Sequence, residues 1–466
     1  MFSKVRPWLT VLCAAGLLLT AAPARASLIG SIFSGPTTAD PAAVYWNPGA
    51  MLLMEGTHTL LFGAVSAVRL EYQRDTLAPD GSSFPGADTF VAKPAAIISL
   101  VTDFGRFKDL RLGLSATIPV LEGASWAETY GGKPSSTRYY AVDARQIVFT
   151  ISPAVGYRVN RYISVGLGLD VVGNMLHHQA MTDFGAKINQ MACSMLGGAC
   201  ALDSPLARED ATYDARTTID GTGWGVGAFA GVLVTPLPWL RMGLGFHTGA
   251  GTMKIPVTIS VELPAAVTDY MAKQMPSVNL PDIVATGDVE STSPWSVMAG
   301  VSVHPMDQLE LALDLHWVQQ SKTATLVAEV LHTSSSLVGD QVLVKQRDDV
   351  FLVGMRASYR VLRPLAAALR VEYENNTRPE DATSPVSIDY HKISLHLGLA
   401  WQAARWLTFT LEYAHYFLLD RQVKTSQFYP RTQPVTPVEQ GFDKPSPTGT
   451  YTGRADRVGL GIVLDF

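Results

Sequence analysis

The sequence predicts an all-β protein: a transmembrane antiparallel β-barrel of about fourteen strands, with an N-terminal hatch, or plug, in its lumen. Three observations predict it. Apolar and polar residues alternate with period two along most of the chain. The connections between the alternating segments are short and long by turns, and a secretory leader precedes them all.

The leader comes first. Lys4 and Arg6 give a basic start, an apolar run spans Trp8 to Ala22, and Ala24-Arg25-Ala26 offers a cleavage site. Residues 1–26 are therefore read as a signal peptide. They hold three basic residues and no acids, so their removal takes the net charge from −5 to −8. An acidic protein of this kind is not expected to bind nucleic acid through its phosphates. Cys193 and Cys200, close together in a secreted chain, read as a disulfide. His177 and His178 stand nearby, but the four residues have no standard zinc-site spacing, and neither a metal nor a cofactor is expected. Gly221 to Leu240 is free of charge for 20 residues, the length of a membrane helix, yet carries five glycines and two prolines. Both disfavour a helix interior, so this stretch reads as a strand and a turn.

The alternation is plain in Leu309, Leu311, Leu313, Leu315 and Trp317, set against Glu310, Ala312, Asp314 and His316. Ile393 to Trp401, Leu407 to Tyr413 and Leu240 to Phe246 repeat it. On a strand such residues share one face; on a helix they would surround the axis. Fourteen segments follow the pattern: 57–74, 91–103, 108–121, 146–158, 161–175, 222–235, 239–248, 292–303, 308–320, 348–361, 365–376, 390–402, 406–419 and 454–466. Connections 104–107, 159–160, 236–238, 304–307, 362–364 and 403–405 are short, and those between them are long. An even-stranded barrel with tight periplasmic turns and long outer loops has this rhythm. Segment lengths meet or exceed the roughly 9–11 residues needed to cross a bilayer at a tilt. A soluble sandwich or propeller would leave apolar stripes in water on nearly every strand.

Aromatic residues near segment ends (Tyr72, Trp239, Trp317, Tyr359, Tyr373, Trp401, Trp406, Tyr413) suit interface girdles. The last segment ends on Phe466, the expected contact with the barrel-assembly machinery. Residues 57–466 thus form the barrel, in contact with outer-membrane lipid and lipopolysaccharide, and the protein is expected to be a monomer in the cell outer membrane of a Gram-negative bacterium. So wide a lumen conducts unless filled. Residues 27–56 hold Val44, Tyr45, Trp46, Met51, Leu52, Leu53 and Met54, too apolar for a free tail, and are read as the hatch. Asn47-Pro48-Gly49 would be its turn, with Asn47 bonding local backbone and Gly49 supplying a positive φ.

The inward charges are expected to be Arg69, Glu71, Arg111, Asp170, Arg241, Glu310, Asp314, Arg356, Arg360, Arg370, Glu372, Lys392, Glu412 and Arg457, pairing within the wall or holding a substrate carboxylate. Two long loops are unusually apolar. Loop 176–221 carries Met181, Phe184, Ile188, Met191, Met195 and Leu196; loop 249–291 carries Val267, Tyr270, Met271 and Met275. Such residues suit adaptable contact with apolar ligands, or a small core of each loop's own.

The segment Thr38-Ala39-Asp40-Pro41-Ala42-Ala43-Val44-Tyr45-Trp46-Asn47-Pro48-Gly49 resembles the hatch of the FadL/TodX outer-membrane transporters of long-chain fatty acids and hydrocarbons. Arg111 to Pro119, Ile151 to Leu169, Gly223 to His247 and Trp295 to Gln319 are similar to strand blocks of that family. Gly49 departs from the family's alanine, and the segment ahead of it is shorter than in well-known members, so no ligand contacts are carried over to Ser27 to Gly35. The resemblance implies uptake of hydrophobic small molecules, caught in a groove between the apolar loops and released sideways through the barrel wall. It also implies an inward kink in the third strand, where Pro119 stands, with Pro94 on the neighbouring strand. Both prolines are candidates for a lateral opening, because proline cannot donate to a ladder; strand ends outside the membrane are the other reading. An outer-membrane barrel enzyme, lipase-like, and a general diffusion porin are the alternatives. Neither a G-x-S-x-G elbow nor an H-E-x-x-H motif supports an enzyme.

Closing the ring between Cys193 and Cys200 should stabilise its loop by about 2–3 kcal/mol. Peptide mapping without reductant should recover the two cysteines linked; recovery of both as free thiols would refute the pairing.

Overall fold

The computed structural model describes residues 29–78, 81–189, 206–274, 282–323, 326–334, 341–344, 347–426 and 445–466. The leader, both mature cysteines, and Met191, Met195, Leu196 and Met275 lie outside the described residues.

Fourteen antiparallel strands make one closed wall. They are β1 Thr57–Arg74, β2 Ala87–Thr102, β3 Leu110–Glu122, β4 Asp143–Arg158, β5 Ile163–Asp183, β6 Asp214–Leu237 and β7 Leu240–His247. The second half comprises β8 Ser296–Met306, β9 Leu309–Val318, β10 Val350–Leu362, β11 Leu365–Glu374, β12 Lys392–Ala404, β13 Leu407–Leu418 and β14 Gly449–Asp465. Each pairs with its sequence neighbour, and the ring closes through β1 and β14, from His58↔Asp465 to Arg74↔Gly449. Beyond that register the amides of Thr57 and Phe466 donate to each other's carbonyls at 2.9 and 2.8 Å. Closure satisfies the edge amides that lipid cannot.

The alternation becomes two faces. Along β12, Lys392, Ser394, His396 and Gly398 face inward, while Ile393, Leu395, Leu397 and Leu399 face outward and are exposed. Leu311, Leu313 and Leu315 on β9 and Leu411 on β13 continue the outer band. Exposed Trp239, Tyr359, Trp401 and Trp406 mark the end with the tight turns; Trp295, Phe351, Tyr373 and Phe417 mark the other. These are the two girdles of a bilayer-spanning barrel. Tyr72 is not among them. It faces inward, 2% exposed, and stacks on Tyr451.

On the long-loop side the wall continues past the membrane. β5 and β6 stay paired as far as Asp183↔Asp214, so ladder occupies both ends of the expected loop 176–221. At about 3.4 Å per residue β5 is roughly 70 Å long, far beyond a bilayer's needs. Segment 249–291 is a hairpin, Gly251–Glu262 against Ile283–Ser293, with helix Ala265–Gln274 at its tip. Its first strand also pairs with β6, from Val257↔Gly221 to Glu262↔Arg216. Both stretches were expected as loops because their outward residues are polar, as suits strands standing in water.

Residues 29–54 lie against the inner wall. A helical turn, Ala43–Trp46, runs into a 3-10 helix, Pro48–Leu53. Ile29, Ile32, Ala42 and Trp46 pack with Leu60, Phe62, Ile97 and Met298 of the wall; Val44, Met51 and Met54 pack with Val101, Phe229 and Leu233. Asn47 is the hinge of this segment. Its Nδ2 donates to the carbonyls of Pro36 (2.9 Å) and Val232 (3.0 Å), and its Oδ1 accepts the Gly49 amide at 3.0 Å. At about 1 kcal/mol per bond these contribute roughly 3 kcal/mol. The expected positive φ at Gly49 does not occur. Its glycine answers to space: a Cβ there would come within 2.9 Å of the Leu233 amide nitrogen and the Ser164 carbonyl. The wall makes the reciprocal concession. A Cβ at Gly231, Gly243 or Gly245 would stand 2.2 Å from Asn47 Oδ1, the Pro36 carbonyl or the Trp46 carbonyl.

That close approach is testable. Gly243→Leu should expel the segment and expose residues 29–54 to protease, while the barrel keeps its heat-modifiable mobility in gels. Gly63→Ala, where a Cβ meets nothing within 4 Å, should be neutral. Equal protection of both variants would show that the approach does not hold the segment.

Candidate functional site

Three regions of the barrel bear on function: the charged belt around residues 29–54, a break in the wall, and the apolar structure on the long-loop side.

The belt holds buried charges of both signs, each paired at short range. On β11, Arg370 bonds Asp314 at 2.9 Å and Glu372 at 2.5 Å, and His396 lies 3.3 Å from Glu372. Arg356 bonds Glu310 at 2.8 Å, and Arg457 approaches Glu412 at 3.5 Å. Several groups reach the N-terminal segment. Glu412 accepts the Ile32 amide (2.7 Å), Arg111 donates to the Met54 carbonyl (2.6 Å), and Arg158 to the Leu52 carbonyl (2.6 Å). His247 has an acceptor on each ring nitrogen, Asp170 at 2.7 Å and the Tyr45 carbonyl at 2.8 Å. The pairing follows from the medium: an ion inside a lipid-embedded wall is tolerable only with a partner. Most of the expected inward charges are here. Arg69 and Glu71 are not; both point outward on the part of β1 that extends toward the loops, where Arg69 stacks on Phe90 at 5.9 Å. Arg360 is exposed beside a tight turn. Charges at strand ends stand in water on either face, so phase alone misplaces them.

The break lies between β2 and β3. Their pairing runs from Thr102↔Leu112 to Ala96↔Ile118 and stops. β2 continues for nine more residues paired with β1, up to Tyr72↔Ala87. β3 turns to β4 instead, with a register shift between Thr117 and Val120 that brackets Pro119. Higher on β2 the connection 123–142 takes over the free edge. Thr89 Oγ1 donates to the Ser125 carbonyl and Tyr130 Oη to the Asp88 carbonyl, both at 2.5 Å. Among the described residues, 90–95 have no ladder partner on the β3 side, a window in the wall, and Pro94 lies within it. Ala96 is six residues beyond Thr102, about 20 Å along the strand. At a tilt of about 40° the window therefore begins near the middle of the apolar band and runs to its outer edge, where Phe90 pairs with Arg69.

Above the membrane, the apolar residues of the two long connections converge. Phe184, Ile188, Val267 and Met271 are buried, at 1%, 5%, 0% and 4% exposure, in one cluster with Leu176, Ile255, Ile259 and Ile283. Tyr270 packs on its margin, and Met181 packs instead on Tyr139 and Tyr140. Of the expected groove residues, Phe184, Ile188, Val267 and Met271 thus share a core between β5, β6, the hairpin and its helix, with Tyr270 against it. Nearer the lumen mouth, Trp126, Ile388 and Tyr390 pack with Tyr72, Val91 and Tyr451, and Trp126 Nε1 donates to the Pro385 carbonyl at 3.1 Å. Glu380, in the same connection as Ile388, accepts the amides of Lys424 (2.7 Å) and Thr425 (3.1 Å), which hold its carboxyl below the usual range.

No group of three or more His, Cys, Asp or Glu side chains among the described residues has the geometry to hold a metal ion.

The family described as outer membrane protein transport protein (OMPP1/FadL/TodX) matches residues 10–465. No curated protein sequence matches the chain. Among solved structures, a Pseudomonas aeruginosa FadL homologue superposes with a TM-score of 0.74 at 16% identity, covering 96% of this chain and 100% of its own. The Pseudomonas putida toluene transporter TodX gives 0.63 at 13% identity, over 93% of this chain and 96% of its own. The Ralstonia pickettii toluene transporter TbuX gives 0.57 at 18%, over 93% and 98%. These are transport channels rather than enzymes, and their barrel is this barrel. The chain belongs to the OMPP1/FadL/TodX family of outer-membrane transport proteins.

Proposed function

We propose that this protein takes up hydrophobic small molecules, long-chain fatty acids or comparable lipids and hydrocarbons, and releases them sideways into the membrane. The observation that carries the reading is the window at residues 90–95 of β2. Unpaired backbone facing lipid costs several kcal/mol per group, so a closed barrel has no physical reason to interrupt a ladder at mid-membrane unless the interruption is used. An apolar molecule gains nothing by entering periplasmic water; the bilayer is the better solvent. Residues 29–54 support the same route. As a hatch they obstruct the straight path down the lumen, leaving the wall as the exit.

Capture falls to the long-loop side. Phe184, Ile188, Val267 and Met271 sit in a core whose Met and aromatic side chains can repack around a ligand, with Met181, Tyr270, Met191, Met195, Leu196 and Met275 as further contacts. Among structures of like fold, TodX and TbuX are toluene transporters, which supports an apolar cargo.

Two experiments separate this reading from an open porin. Deleting residues 27–50 should turn a nearly silent barrel into a conducting one in planar bilayers; unchanged conductance would remove the hatch. Cysteines placed near Pro94 and Pro119 and bridged across the window should block uptake of a labelled fatty acid, and reductant should restore it. Full uptake through a closed bridge would exclude the lateral exit.

A further inference from the structure

Lys93 stands within the window, one residue before Pro94 and three from Ala96, the last β2 residue paired with β3. It faces inward in phase with Val91 and Ile97, both fully buried, and is itself 6% exposed. Among the described residues its Nζ has no hydrogen-bond acceptor. This sets it apart from the belt, where each cation described above meets a carboxylate or a carbonyl. The carboxylates nearest in influence, Glu374 and Asp389, belong to another cation: Lys392 bonds them at 2.5 and 2.9 Å. Asp389 also accepts the Thr377 amide (3.0 Å) and hydroxyl (2.7 Å). The register partner of Lys93 on β1 is Ser66, which carries no charge.

An ammonium desolvated without an anion is among the costliest arrangements a fold can hold. The belt cations described above are each met by a carboxylate or a carbonyl, and this lysine, beside the proposed exit, is not. Apolar surface adjoins it: Val68, Val91 and Trp126 belong to the cluster that lines the lumen on the side of the long connections. An anionic head beside an apolar wall is the complement of an amphiphile.

We propose that Lys93 binds the carboxylate of a long-chain fatty acid on its way to the window, its Nζ donating to the carboxylate oxygens while the chain lies along the apolar wall. This rests on the transport reading above and narrows it: the cargo is an anionic amphiphile, and a neutral hydrocarbon would miss the principal contact. A charge-assisted bond of this kind is about twice as strong as a neutral one, which gives the acid its advantage over an uncharged analogue.

The test uses the purified full chain in detergent, with oleate and methyl oleate as probes. The wild type should bind oleate at least tenfold more tightly than the ester. Lys93→Met, close in length and uncharged, should bind both as the wild type binds the ester; Lys93→Arg should keep the preference. Without ligand, Lys93→Met should also melt higher than the wild type, because a buried amine without a partner has gone, whereas a purely structural lysine would make it melt lower. If Lys93→Met retains the tenfold preference, or the wild type shows none while binding both, this site is wrong and the transport reading stands. If the wild type binds neither probe, both readings fall. Should Lys93→Met fail to fold, Lys93→Gln in the same assay decides.

Discussion

Backbone hydrogen bonding governs this molecule more than any side chain does. Inside a bilayer an amide or carbonyl has no water to turn to, so each strand must be flanked on both sides and the sheet must close on itself. Closure between β1 and β14 meets that demand, down to the reciprocal bonds of Thr57 and Phe466 at the chain end. Once the wall is closed, the rest is constrained. Outward residues must be apolar, the lumen must be filled or conduct, and any interruption of the ladder is expensive enough to need a use.

The lumen is filled by an exchange of volumes. Residues 29–54 bring bulky apolar side chains to the wall, and the wall answers with glycines where the chain turns at Asn47 and Pro48. Polar groups hold what packing alone would let slide. Glu412, Arg111, Arg158 and His247 bond backbone of the segment at Ile32, Met54, Leu52 and Tyr45, so the charged belt that neutralises itself also grips the segment. Buried ions of this sort contribute position and specificity more readily than net stability.

The window between β2 and β3 and the lysine beside it depart from the two rules that govern most of the described barrel. Residues 90–95 lack a ladder partner on the β3 side, and the Lys93 amine has no acceptor among the described residues. They lie within a few residues of each other on the same strand. Strain in a fold that is elsewhere satisfied tends to gather where the fold does something, and here both departures sit on the path from lumen to lipid.

Much of this was legible in the residues. Period-two alternation depends only on strand geometry and a lipid boundary, so Leu309 to Trp317 and Ile393 to Trp401 announced their outward faces without any knowledge of their neighbours. The apolar run at Val44 to Met54 announced a buried segment for the same reason. Tertiary structure decided what depends on pairing. Whether 176–183 and 214–221 are loop or ladder turns on partners in another part of the chain, which polar alternation in water does not reveal. Arg69 and Tyr72 took the opposite faces from those expected, because strand ends beyond the membrane lose the apolar marker that distinguishes in from out. Lys93 could be placed on the inner face by its phase with Val91 and Ile97, but not recognised as alone. That an ion has no partner is a property of the space around it, and only the closed barrel, by setting Glu374 and Asp389 on Lys392, makes it so.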